Sequence, residues 1–151
     1  MFINFDLKLP KIEQNELNFK KNITRETYMI ASKLTDEIIT RTRSGRDYSG
    51  KPFTSYSLAT IEHKREVMAE GIGYVMNPEQ VTLTDTGRMM NSIKVTNDTT
   101  HSAIIFFSVR DRAIIGYRHQ IGDGRLPKRE WMTISATQRL WAMEKLNEAL
   151  R

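Results

Sequence analysis

No cysteine occurs in these 151 residues, which excludes disulfides, thiolate metal sites, iron–sulfur clusters and thiol nucleophiles together. With no disulfide framework, a reducing, intracellular compartment is the expectation. Long apolar runs are lacking too. The longest, Ala103–Phe107, has five residues, far short of the ~18–20 that span a bilayer. Asn4, Asp6 and Lys8 interrupt the amino-terminal MFINFDLKLP before the apolar stretch of a secretory signal develops. His63, His101 and His119 share no i, i+4 spacing, so the pattern of a zinc site is missing. No G-x-S-x-G nucleophile elbow occurs either. No membrane association, metal or cofactor is expected. No internal repeat or linker divides the chain, so 1–151 reads as one domain, in keeping with the ~100–150 residues that a single core usually holds.

Positive charge is in moderate excess. Lys and Arg number 23 against 18 Asp and Glu, a net +5, and the pI is near 9.6. Arg110, Arg112, Arg118, Arg125, Lys128 and Arg129 lie within 110–129, against Asp111 and Asp123. A second basic stretch runs through Arg41, Arg43, Arg46 and Lys51, relieved only by Asp47. Neither carries the aromatic interleaving of a single-strand binder or a helix-turn-helix pattern. A solvated face, or a surface complementary to an acidic protein, is the simplest reading. A DNA-binding accessory protein using the 110–129 stretch is the alternative.

Ile3, Phe5, Leu7 and Leu9 alternate with Asn4, Asp6 and Lys8, which predicts a half-buried strand over 2–9. From Glu16 to Arg41 the period becomes helical, with Leu17, Ile23, Ile30, Leu34 and Ile38 near one stripe. Such a helix is ~39 Å long, enough to cross the whole domain. Gly45, Gly50 and Pro52 punctuate a loop, and helix formers return over 57–70. A short helix over 85–92, capped by Thr84 or Asp85, comes next, then a strand beginning at Ile93. In the following strand, His101–Val109, Ala103, Ile105 and Phe107 alternate with Ile104 and Phe106. Both faces are therefore apolar at the centre, which predicts a place inside the sheet. Ala113–Tyr117 reads as a further strand beside it. Ser135 with Gln138 forms a capping-box signature before a carboxy-terminal helix. The order predicts an α+β domain, with a small, mainly antiparallel sheet packed against a long N-terminal helix and a C-terminal helix.

Two stretches imitate enzyme motifs. Gly45–Lys51 matches G-x-x-x-x-G-K, but a P-loop next needs Ser or Thr for magnesium, and Pro52 stands there. Asp85-Thr86-Gly87 is the triplet of aspartic proteases, and Ile114-Ile115-Gly116 resembles a second signature of the retroviral type. That chemistry needs two carboxylates face to face. Bulky Arg88-Met89-Met90 follows the triplet, and only the 26 residues 88–113 separate the two stretches, too few for a flap and its strands. A dimeric aspartic protease at Asp85 is the third reading; its structural counterpart is a helix cap. No catalytic residue is assigned.

Three further patterns are ordered along the chain. In Arg41–Ser57, Gly50-Lys51-Pro52-Phe53 leads into Tyr56-Ser57, with Lys64 downstream. Leu83–Ile93 reads L-T-D-T-G-R-M-M-N-S-I. Tyr117–Gly122 reads Y-R-H-Q-I-G, followed by Leu126-Pro127-Lys128-Arg129-Glu130-Trp131. This trio spans roughly residues 40–135 and resembles the phage virion morphogenesis family, the tail completion proteins of tailed phages and Mu-like prophages. Its patterns are similar to a Gly-Lys/hydrophobic loop before a Tyr-Ser helix start, L-x-D-T-G-x-L-x-x-S-I, and H-Q-x-G … L-P-x-R-x-F/W. Met89 stands where the family prefers an aliphatic residue, and Glu130 where proline is common.

The resemblance implies a structural, non-enzymatic virion protein of the tail end or neck, which terminates the tail or joins head to tail. It implies a homo-oligomeric ring, a hexamer by preference, with other tail or neck proteins as partners; the basic charge adds non-specific contact with passing DNA as a further expectation. The location is the virion, and the host cytoplasm during assembly. Its structural-motif residues are Gly50, Lys51, Asp85, Gly87, His119, Gln120, Gly122 and Pro127. For assembly contacts, the expectation is a mobile loop over 44–56 bearing Tyr48, Phe53 and Tyr56, aromatics that a merely solvated loop does not need. Arg118, Arg125 and Arg129 complete the expected interface.

Overall fold

The computed structural model describes residues 3–4, 16–71, 77–84, 86–98 and 101–150. Within them the elements run β1 (Ile3–Asn4), α1 (Glu16–Arg43), α2 (Leu58–Ala69), α3 (Arg88–Asn91), β2 (Ile93–Asn97), β3 (Ala103–Phe107), α4 (Arg110–Ile121) and α5 (Ala136–Ala149). The α+β class, the long first helix and the C-terminal helix are as the sequence predicts. Uninterrupted by Pro or Gly, the 28 residues of α1 reach ~42 Å at ~1.5 Å per residue.

α1 is a spine whose one broad buried face is shared by two clusters. Ala31 and Ile38 join the main core under the sheet, while Ile30 and Leu34 pack against Ala142 and Leu146 of α5. Thr27, Thr35 and Thr42 are buried as well, and their hydroxyls donate to the carbonyls of Ile23, Ala31 and Ile38 at 3.0, 2.8 and 2.7 Å. Each polar group is thereby satisfied inside the helix, so the threonines go under cover together with the apolar residues of this face.

β3 lies in the middle of the sheet and runs antiparallel to both neighbours, with Ile105 opposite Ile3 on one side and Val95 on the other. The predicted central strand is thus found, over 103–107. Ala103, Ile105 and Phe107 are buried in the main core, and Ile104 and Phe106 on the other face are half-buried. Apart from Ile3 and Asn4, the strand predicted over 2–9 lies outside the described residues.

Two local expectations are corrected. Gly87, in the left-handed region at φ 71°, is the N-cap of α3, and Thr84 instead bonds back to Thr82. Asp85, the other candidate cap, lies outside the described residues. The strand expected over Ala113–Tyr117 is the middle of α4. Ile-Ile-Gly is a poor helix former, but Gly116 lets this helix approach the core closely. A Cβ there would lie 2.6 Å from Cζ of Phe107 and 3.1 Å from Cζ2 of Trp131. The Gly116 carbonyl accepts from Nε1 of fully buried Trp131 at 3.1 Å. The Phe107 and Trp131 rings meet edge to face, 6.0 Å between centroids.

The capping box of α5 is present: Oγ of Ser135 accepts from the Gln138 N–H at 3.1 Å, and Oε1 of Gln138 from the Ser135 N–H at 3.0 Å. Arg41 of α1 holds the approach to α5, donating through Nη2 to the carbonyls of Trp131 and Thr133, both at 2.8 Å. Phe107→Ala is expected to lower stability by ~3–5 kcal/mol, and Phe106→Ala, on the half-buried face, by clearly less. Equal losses in urea denaturation would show that the two faces of β3 are equally covered.

Candidate functional site

The three segments of the resemblance meet in one bonded network. Arg129 is 2% exposed and donates through Nε and Nη2 to the Thr54 carbonyl, at 3.3 and 3.1 Å. That joins the third segment to the first. The Tyr56 hydroxyl accepts from the Leu83 N–H at 3.2 Å, and Nζ of Lys64, 6% exposed, donates to the Thr84 carbonyl at 3.1 Å. Those bonds join the first segment to the second. Both cations also approach the Tyr56 ring, Lys64 at 5.1 Å and Arg129 at 5.2 Å from its centroid, within cation–π range.

The third segment is stitched to itself. The His119 carbonyl accepts from the Arg129 N–H at 2.8 Å. Gln120 accepts from the Met132 N–H at 3.0 Å and donates to Oγ1 of Thr133 at 2.9 Å. Gly122 ends α4 at φ 74°, and a Cβ on it would lie 2.7 Å from the Lys128 nitrogen. H-Q-x-G is therefore a device for folding residues 127–133 back onto the end of α4.

The network borders a cleft of about 380 Å³ between α2 and α4, lined by Tyr56, Lys64, Gly87, Arg88, Arg112 and His119, among others. Burial, then Arg129, then Lys64 push the His119 imidazole down to about 4. Nη1 of Arg129 lies 3.4 Å from Nδ1 of His119. A guanidinium has no acceptor, so Nδ1 accepts and the ring proton sits on Nε2. Burial also lowers Arg129, with Tyr56 opposing. The chemistry on view is that of a structural tie, in which cations meet main-chain carbonyls and one aromatic ring.

The expected interface is only partly accessible. Phe53, 8% exposed, belongs to the main core, and Arg129 is buried in the network; both are corrected as surface contacts, because each is enclosed by its own chain. Tyr56 is half-buried within the network, and half-buried Tyr48 donates its N–H to the Glu130 carbonyl at 3.2 Å. The 44–56 loop, expected to be mobile, is tied down along its length. Arg46 bridges Pro52, and the Phe53 N–H meets the Gly45 carbonyl at 2.9 Å. The Asp47 carboxylate accepts from Ser49 and from the Lys51 N–H at 2.8–2.9 Å. Burial alone would raise this carboxyl, but the bonds from Ser49 and Lys51 hold it below the usual range. The P-loop look-alike thus turns N–H groups toward its own acid. Gly50, at φ 83°, and Lys51 stand exposed at its tip.

Arg118 and Arg125 are exposed, and Pro127 is half-buried. Arg118 pairs with Asp123 at 3.2 Å and Lys128 with Glu130 at 2.6 Å, so the 110–129 stretch presents fewer free cations than its sequence suggests. The second protease-like stretch, 114–116, lies inside α4. Among the described residues no group of three His, Cys, Asp or Glu could hold a metal, and no helix is long and apolar enough to cross a membrane. Sequence reasoning missed Arg41 as an inward tie, and it missed the Thr54 and Thr84 carbonyls, which carry no side-chain signal at all.

Comparison with protein-family models, curated proteins and solved structures finds no match.

His119 generates a pH prediction. Its folded value lies below its ordinary 6.5, so the unfolded chain binds the extra proton between about pH 6.5 and 4. Stability is full above that window and falls as pH drops through it, on the order of 1 kcal/mol per pH unit. His119→Asn keeps an acceptor for Arg129, and it should flatten this slope in urea midpoints measured from pH 7 to 4.5. A second expectation concerns α2, whose only buried residue is Lys64. Lys64→Ala should speed hydrogen exchange throughout 58–69 far more than in α1 or β3; uniform acceleration would mean that α2 is not separately anchored.

Proposed function

We propose that this chain is a structural virion component that completes the tail or joins it to the head, working through protein–protein contacts. The observation that supports the reading best is the network itself. Three segments far apart in sequence, each similar to a tail completion pattern, are bonded to one another through Arg129–Thr54, Tyr56–Leu83 and Lys64–Thr84. Their polar atoms engage carbonyls and N–H groups of the same chain, the use expected of a rigid assembly scaffold. On this reading the chain works as a homo-oligomeric ring, a hexamer by resemblance, in the virion tail or neck. Arg118 and Arg125 stay among its candidate contacts.

The test is made on particles. Peptide mass spectrometry of purified virions from the phage or prophage carrying this chain should find it at a few copies per particle. Deleting it should leave heads and tails unjoined, or tails of irregular length, in electron micrographs. Complete, infective particles without the chain would overturn the reading.

A further inference from the structure

α4 carries its large apolar residues on the solvent side. Gly116, buried, and Ala113 and Gln120, half-buried, face inward. Ile114, Tyr117 and Ile121 form an outward stripe at helical spacing, 43–49% exposed, and Arg110 and Arg118 share that face. Among the described residues twelve large apolar side chains are exposed, and six of them fall within 109–126. Such a concentration, mixed with Tyr and Arg, is the composition of a protein contact.

α2 has the complementary surface. Opposite its buried Lys64, Leu58, Glu62, Glu66, Ala69 and the C-cap Glu70 are all exposed. The three glutamates make no ion pair among the described residues, while neighbouring Arg65 is taken by Glu79. Each helix carries charge against its own dipole at one end: Glu66 and Glu70 close α2, and Arg110 and Arg112 flank Asp111 in the opening turn of α4. Acids at a C-terminus and cations at an N-terminus are locally unfavourable.

We propose that the outer face of α4 docks antiparallel on the outer face of α2 in a second copy of this chain. The pairing deepens the assembly reading above, on which it rests for the premise that copies associate. It brings Glu70 to Arg110 and Glu62 to Arg118, whose guanidinium is then shared between Glu62 and its own Asp123, because each pair of like charges is eight residues, ~12 Å, apart along its helix. The acidic end of α2 then meets Arg110 at the start of α4. The contact cannot close within one chain. There, α2 turns Thr60, His63 and Lys64, and α4 turns Arg112, Ile115 and His119, toward the cleft between them, leaving the charged faces pointing away. A heterologous contact of this kind repeats from copy to copy, and it makes a ring when the rotation between copies closes.

The test uses the purified full chain and two charge-reversed variants, Arg110→Glu/Arg118→Glu and Glu62→Lys/Glu66→Lys/Glu70→Lys, sized by light scattering after gel filtration. The native chain should form a multimer, and each variant alone should run as a monomer. An equimolar mixture of the two should return to the native mass, since each reversed face then meets a reversed partner. A native chain that stays monomeric, a variant that keeps the native mass, or a mixture that stays monomeric overturns the proposal. Should a reversed variant fail to fold, Arg110→Gln/Arg118→Gln and Glu66→Gln/Glu70→Gln serve instead, each expected to weaken self-association by ~10-fold or more; unchanged association overturns it. A chain that assembles by these faces yet is missing from virions overturns only the virion reading. A chain found in virions whose variants assemble normally overturns only this contact.

Discussion

Arg129 joins parts of the chain that lie 75 positions apart. A guanidinium removed from water is tolerated only where its donors and its charge are met. Here the Thr54 carbonyl, Nδ1 of His119 and the Tyr56 ring meet them. Once that arrangement is made, much else follows. Tyr56 is held in place to accept from Leu83, Lys64 finds both the ring and the Thr84 carbonyl, and α2 is fastened to the body by a cation rather than by an apolar stripe. His119, buried beside two cations, stays neutral near pH 7.

The second constraint is the double duty of α1. Its buried positions, from Ile23 through Ile30, Leu34 and Ile38 to Thr42, recur at the three- and four-residue spacing of one broad face, and that face serves both the sheet and α5. Threonines returning their hydroxyls to the preceding turn widen that face, because they go under cover without a partner elsewhere. Arg41 then extends the reach of α1 to the carbonyls of Trp131 and Thr133, so the spine also sets where α5 begins.

α4 shows how one glycine changes what a helix presents. Gly116 brings the helix backbone onto the Phe107 and Trp131 rings, and those rings supply the apolar volume that the helix itself would otherwise contribute. Its own isoleucines and tyrosine are released to the outside. The helix is thus seated by its backbone and advertises its side chains, the reverse of the usual surface helix.

Much of the architecture was legible in the residues alone. The long helical period, the doubly apolar strand around Ile105 and the Ser135–Gln138 cap are local signals, each written in neighbouring side chains. The order of the three motif segments could be read in the same way. The sequence could not distinguish a strand from a helix at 113–117, since a short Ala-Ile-Ile run before glycine suits both until the Phe107–Trp131 pair demands a close approach. Nor could it tell that Phe53 and Arg129 point inward while Ile114 and Tyr117 point out. Burial of a cation depends on acceptors, and those acceptors are the main-chain carbonyls of Thr54 and Thr84. Every residue carries such a carbonyl, so only the tertiary path of the chain decides which of them a cation reaches.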